Sequence, residues 1–143
     1  MLRQLSVFIE NNQGSLADLT QALESKGIMI HAIALADASR FGVVRAVVSK
    51  PDLALKTLQE AGYSGCLTEV VGVKADEAAG LSRALKALSE HAIDIEYLYV
   101  LKIRDGARTL VLGVPDSARS EAALSEAGFV CAGEEDLDEP AEA

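Results

Sequence analysis

The sequence predicts a mixed α+β chain made of two copies of one βαββαβ unit. Two observations carry this. Strand and helix patterns follow one another in the same order twice, and matching residues recur at a fixed spacing. Leu16 matches Leu81, Leu23 matches Leu88, and Ile28 and Ile30 match Ile93 and Ile95, all at an offset of 65. After one extra residue, Ala61-Gly62-Tyr63 matches Ala127-Gly128-Phe129 at an offset of 66. An ordered series across a whole unit marks an internal repeat.

In the first copy, Leu5, Val7 and Ile9 alternate with Ser6 and Phe8, the period of a strand. Asn11-Asn12-Gln13-Gly14 reads as a turn. Ser15 is a candidate cap for a helix with Leu16, Leu19 and Leu23 on one face, and Gly27 stops it. Ile28 to Ala36 is strand-like and small on both faces, Asp37 to Gly42 a hairpin turn, and Val43 to Ser49 a valine-rich strand. Pro51 suits a first helical turn. Ala54, Leu55, Leu58 and Ala61 give that helix its face, and Gly62 ends it.

A long strand from Cys66 to Ala75 is expected to close the first copy and open the second. The second copy then has a turn at Asp76–Gly80 and a helix with Leu81, Ala84, Leu85 and Leu88. A strand over Ile93–Lys102, a turn at Arg104-Asp105-Gly106 and a strand over Thr109–Val114 follow. Asp116 or Ser117 opens a last helix, Gly128 closes it, and Phe129 to Cys131 begins the final strand. The expected units are 1–70 and 71–137, with an acidic tail at 138–143. Right-handed crossovers make each unit an antiparallel sheet with two helices on one face, the ferredoxin-like arrangement. That arrangement alone names no function.

Charge and composition exclude several classes. The net charge is −9, and six acids fall in the last ten residues: Glu134, Glu135, Asp136, Asp138, Glu139 and Glu142. They are expected to be solvated and frayed. With no Trp, three Phe, three Tyr and no Lys/Arg cluster, the chain lacks the basic, stacking face that nucleic acid needs. The start reads straight into a strand, so no signal peptide is expected. The longest uncharged stretch, Gly27 to Ala36, is too short to span a bilayer. Cys66 and Cys131 match no metal or redox spacing. They are expected to be free thiols in a cytoplasmic protein, at equivalent places in the two units, each a small buried residue.

The residues narrow the family. A strand followed by Glu10-Asn11-Asn12-Gln13-Gly14-Ser15-Leu16, a leucine-faced helix and Lys26-Gly27-Ile28-Met29-Ile30 resembles the opening of an ACT domain. Asp37 to Phe41, Gly42-Val43-Val44-Arg45, Ser49-Lys50-Pro51-Asp52 and Ile95-Glu96-Tyr97-Leu98-Tyr99 look like that family too. The chain is similar to the stand-alone tandem ACT proteins of bacteria. The resemblance implies a non-enzymatic sensor that binds a free amino acid where two units meet. It also implies regulation of a partner enzyme, with no cofactor.

The first loop is the expected site. Backbone N–H groups of Asn11, Asn12, Gln13, Gly14, Ser15 and Leu16 at a helix start suit a carboxylate. The plain alternative is an ordinary turn and cap. In the second loop Asp76-Glu77-Ala78-Ala79-Gly80 replaces the amides with carboxylates, which would repel a ligand carboxylate. The backbone of Ile28, Met29 and Ile30 runs beside the first loop, with the isoleucine side chains expected in the core. Tyr97 and Tyr99, two apart on one strand face, could complete the pocket from the second unit or simply pack the sheet. Arg45 could meet a carboxylate or pair with Asp37. His31 and His91 are isolated, with no converging metal ligands. No catalytic motif appears, so a small enzyme is the weaker reading, and a ligand-free interaction module is another. The sheet face left bare by the helices leads us to expect a homodimer.

Overall fold

The computed structural model describes residues 1–10, 12–36 and 39–137. Asn11, the Asp37 end of the hairpin turn and the 138–143 tail lie outside the described residues. The elements are β1 (Leu2–Glu10), α1 (Ser15–Glu24), β2 (Ile30–Ala36), β3 (Phe41–Val48), α2 (Pro51–Glu60) and β4 (Ser64–Lys74). They continue as α3 (Gly80–Glu90), β5 (Tyr97–Lys102), β6 (Arg108–Gly113), α4 (Ser117–Glu126) and β7 (Cys131–Ala132). This is the expected mixed α+β fold of tandem ferredoxin-like units with antiparallel strands.

Two compact units divide the chain. Among the described residues, 3–68 form one unit, and Met1–Leu2 with residues 69–137 form the other. In the first unit the strands run β2-β3-β1-β4. The register sets Val7 against Val44 and Phe8 against Val43, so one face is core and the other carries Phe8. Leu5, Val7, Ile9, Leu19, Leu23, Ile28, Val44, Ala46, Ala54 and Leu58 fill the core between sheet and helices. In the second unit the order is β5-β6-β4-β7. Val71, Val73, Ala84, Leu88, Leu110, Leu112 and Leu124 form the matching core.

Local signals place the elements. Pro51 sits in the first turn of α2. Gly27 takes φ +73°, and the Ile28 N–H returns to the Leu23 carbonyl, which closes α1. Asp116 caps α4 by accepting the Arg119 N–H at 3.1 Å.

The structure departs from the sequence reading at several points. Ser15 is the first helical residue, not the cap; Gly14 caps α1 at φ +88° with no side-chain bond. β5 starts at Tyr97, because Ala92 turns left-handed (φ +54°) and the Ile93 N–H folds back to Leu88. Leu81 is exposed, and Ala87 stands in the core instead. Cys66 is exposed and Cys131 half-buried, so they are not twin core residues. The first acids of the C-terminal segment, expected to fray, are held in place. Glu134–Asp136 form a 3-10 turn, Leu137 is buried, and Arg104 donates to the Asp136 and Leu137 carbonyls at 2.8 and 2.9 Å.

Candidate functional site

The first loop folds as a tight hook on the end of β1. The Asn12 N–H donates to the Glu10 carbonyl at 2.9 Å, and the Ser15 N–H donates to the Asn12 carbonyl at 3.1 Å. The Asn12 side-chain amide donates to the Glu10 carboxylate at 2.9 Å. A Cβ on Gly14 would meet nothing within 4 Å, so its requirement is the left-handed φ rather than space.

A cavity of about 360 Å³ opens beside this hook. Asn12, Ser15, Glu10 and Asp18 line it, with the rings of Phe8, Phe41 and Tyr63. Phe8 and Phe41 are 62% and 59% exposed, large values for phenylalanine on a strand. Gln13 is exposed and Leu16 half-buried against the core. Ile28, Met29 and Ile30 do not line the cavity. Ile28 is buried in the core, and Ile30 packs against it. Both backbone polar groups of Met29 are engaged by Ser49.

Tyr97 and Tyr99 belong to the second unit. They share the half-buried face of β5, as their spacing requires. The Tyr97 ring lies over Gly113, its partner across the ladder, where any Cβ would collide with it. Arg45 is half-buried on β3 opposite Ser6 and Ala34. The His91 Nδ1–H donates to the Ala87 carbonyl at 2.9 Å, and its Nε2 stands 3.7 Å from Glu126. Among the described residues, no group of three or more His, Cys, Asp or Glu side chains could hold a metal ion.

The repeat places a second cavity, about 230 Å³, at the matching position of the other unit. Its walls are Lys74, Ala75, Asp76, Glu77, Gly80, Arg83, Gly128, Phe129 and Val130. The displaced glycine of this loop has a packing reason. A Cβ on Gly80 would press on Ala75 at 3.1 to 3.3 Å, while Ala79 takes the left-handed φ of +64° itself. The acids of this loop by themselves would repel a ligand carboxylate, although they could attract an ammonium. The strand and helix add Lys74 and Arg83, so that cavity carries both signs of charge.

The family model described as an ACT domain pair matches residues 1–139. The chain belongs to that family. Its ACT pair is a regulatory module by family. A protein of Bacteroides thetaiotaomicron shares 30% identity with it, over 92% of this chain and 91% of that one, at a TM-score of 0.83. The regulatory subunit of aspartate kinase from Thermus thermophilus, in ligand-free form, shares 18% identity over 87% and 91% of the two chains (TM-score 0.63). That from Thermus flavus shares 19% over 88% and 92% (TM-score 0.62). At that identity the likeness to the kinase subunits is one of fold. No curated protein matches the chain.

Sequence reading missed Glu10, Asp18, Phe8, Phe41 and Tyr63 as cavity residues of the ACT pair. One signal was available: Phe8 sits out of phase with Leu5, Val7 and Ile9, which puts an aromatic ring on the face away from the helices. Tyr63 and Asp18 reach the cavity only through the fold.

Proposed function

We propose that this ACT pair is a non-enzymatic regulatory protein that binds a free amino acid in the first-loop cavity. One observation carries the reading: two carboxylates, an amide, the start of α1 and three aromatic rings line one cavity. Glu10 and Asp18 suit an α-ammonium group. The first-turn N–H groups of α1, which have no acceptor inside the helix, suit the α-carboxylate. Phe8, Phe41 and Tyr63 favour an aromatic, imidazole or branched side chain. A partner enzyme receives the signal, a reading supported by the shared fold with aspartate kinase regulatory subunits. The protein acts in the cytoplasm as a homodimer.

The test is a melting screen with each of the twenty amino acids, followed by calorimetry on the hit. A ligand bound only by the native state stabilises it by RT ln(1 + [L]/Kd), about 2.7 kcal/mol at roughly 100 times Kd. Asp18→Asn should weaken binding, since it removes a charge that faces the ammonium. If none of the twenty moves the melt, the amino-acid reading fails. A ligand-free interaction module then takes its place, favoured by the exposed apolar residues Ile33 and Leu35 on edge strand β2.

A further inference from the structure

The two cavities hold corresponding residues of the repeat, yet their charges differ. Ile9, Ser15, Asp18 and Tyr63 in the first correspond to Lys74, Gly80, Arg83 and Phe129 in the second. The first cavity is lined by acids without a basic residue among its described walls. The second gains two cations at the places of Ile9 and Asp18. We propose that the second-unit cavity is a separate binding site for a small organic carboxylate, held by Arg83 and Lys74.

The Arg83 guanidinium stands 5.0 Å over the Phe129 ring, which fixes its plane against the cavity wall. A guanidinium so placed can take a carboxylate through two parallel N–H donors. In the structure its Nη1 meets the Glu77 carboxylate at 3.2 Å, and Lys74 Nζ meets Asp105 at 3.5 Å. Glu77 is 80% exposed and Asp105 58%. Exposed pairs of this kind contribute about 0–1 kcal/mol, so a ligand carboxylate can replace either acid. Gly80 lines the cavity as the first residue of α3, and the positive end of that helix adds to the attraction.

The frame around the cations is held firmly. The Arg108 N–H donates to Asp76 at 2.7 Å, and its guanidinium donates to the Ala75 carbonyl at 3.0 and 3.3 Å. Asp76 is thereby tied to β6, and Glu77 is left as the exposed competitor for Arg83. Phe129 and Val130 supply an apolar wall, which suits a carboxylate carrying a short hydrocarbon tail.

The site is independent of the first-loop reading, and one experiment separates the two. Propionate and propylammonium are each titrated into the protein at constant ionic strength, with backbone amide and arginine side-chain resonances followed by NMR. Propionate should give a saturable shift at the Arg83 Nε–H and the Ser82 amide, and propylammonium should give none there. Arg83→Met should abolish the response, Arg83→Lys should retain part of it, and Glu77→Gln should tighten it by removing the competing carboxylate. A propionate response confined to Leu16 and its neighbours in the first unit would refute this site and leave the first reading intact. An Arg83→Met variant that responds like the parent, or a Glu77→Gln variant that binds no tighter, would overturn the proposal.

Discussion

Ser49 holds Met29 by both backbone groups: its N–H donates to the Met29 carbonyl at 2.9 Å, and its hydroxyl accepts the Met29 N–H at 2.8 Å. Ser49 is buried at the end of β3, and Met29 leads into β2. The pair therefore fixes the edge strand where side-chain packing is thin. Ser49→Ala leaves the Met29 N–H without its acceptor, at a cost of about 1–3 kcal/mol. Thermal unfolding should show the loss as a lower Tm. An unchanged melt would mean that solvent reaches the Met29 N–H.

Gly113 and Tyr97 form a second dependent pair. The tyrosine ring occupies the space above Gly113, so Gly113→Ala must push it off the sheet. The expected cost is on the order of 1–3 kcal/mol, as for other small-to-large changes in packed sites. In a Tyr97→Ala background the same change should cost far less, because nothing remains to displace. Equal costs in the two backgrounds would show that the ring is not what excludes a side chain at Gly113.

The strands and helices were legible because their signals are local. Alternation at Leu5, Val7 and Ile9, the glycine stops and Pro51 each act within a few residues. Alternation through Ile93 and Ile95 extends the expected strand over 93–102, four residues more than β5. Ile93 does enter the core and Ile95 packs against it, but Ala92 turns the backbone away from the ladder first. The loop sites were half legible. Asn12 and Ser15, candidates from the loop motif, line the cavity. Asp18, Arg83, Tyr63 and Phe129 reach the two cavities from other elements, and no local pattern in a single sequence announces that.

The two cysteines should react very differently. Cys66 is exposed on β4. Burial raises the Cys131 thiol above its usual 9.0, helped by the nearby Glu121 carboxylate, with the Ser125 hydrogen bond and the N-terminal charge opposing. A thiol reagent at neutral pH should label Cys66 quickly and Cys131 slowly, since only the thiolate reacts. The raised value also sets a sign for stability. The folded state holds the Cys131 proton more tightly than the unfolded chain. Its contribution is complete below pH 9.0 and is lost as pH rises beyond it. Cys131→Ser should flatten the alkaline fall in Tm. An equally steep fall in that variant would assign it to other groups.

Strands β2 and β5 each end the sheet of their own unit, and each exposes two apolar side chains at corresponding positions. Ile33 and Leu35 are 40% and 44% exposed; Leu98 and Val100, 65 residues on, are 40% and 51% exposed. Their ladder partners Ala46, Val44, Leu112 and Leu110 are core residues, so all four point to the helix-covered face but stand beyond its cover. An edge strand with unpaired backbone groups and an apolar fringe is a template for another strand. Two equivalent edges on one chain suit a closed, two-fold pairing of copies. Sedimentation at micromolar concentration should therefore find a dimer. Leu35→Lys and Val100→Lys together should shift it to monomer, since each places a charge where the apolar fringe would be covered. Neither change touches a buried core residue, so the separated chains should keep their secondary structure by circular dichroism. A parent protein that sediments as a monomer at that concentration would defeat the homodimer reading without touching the fold.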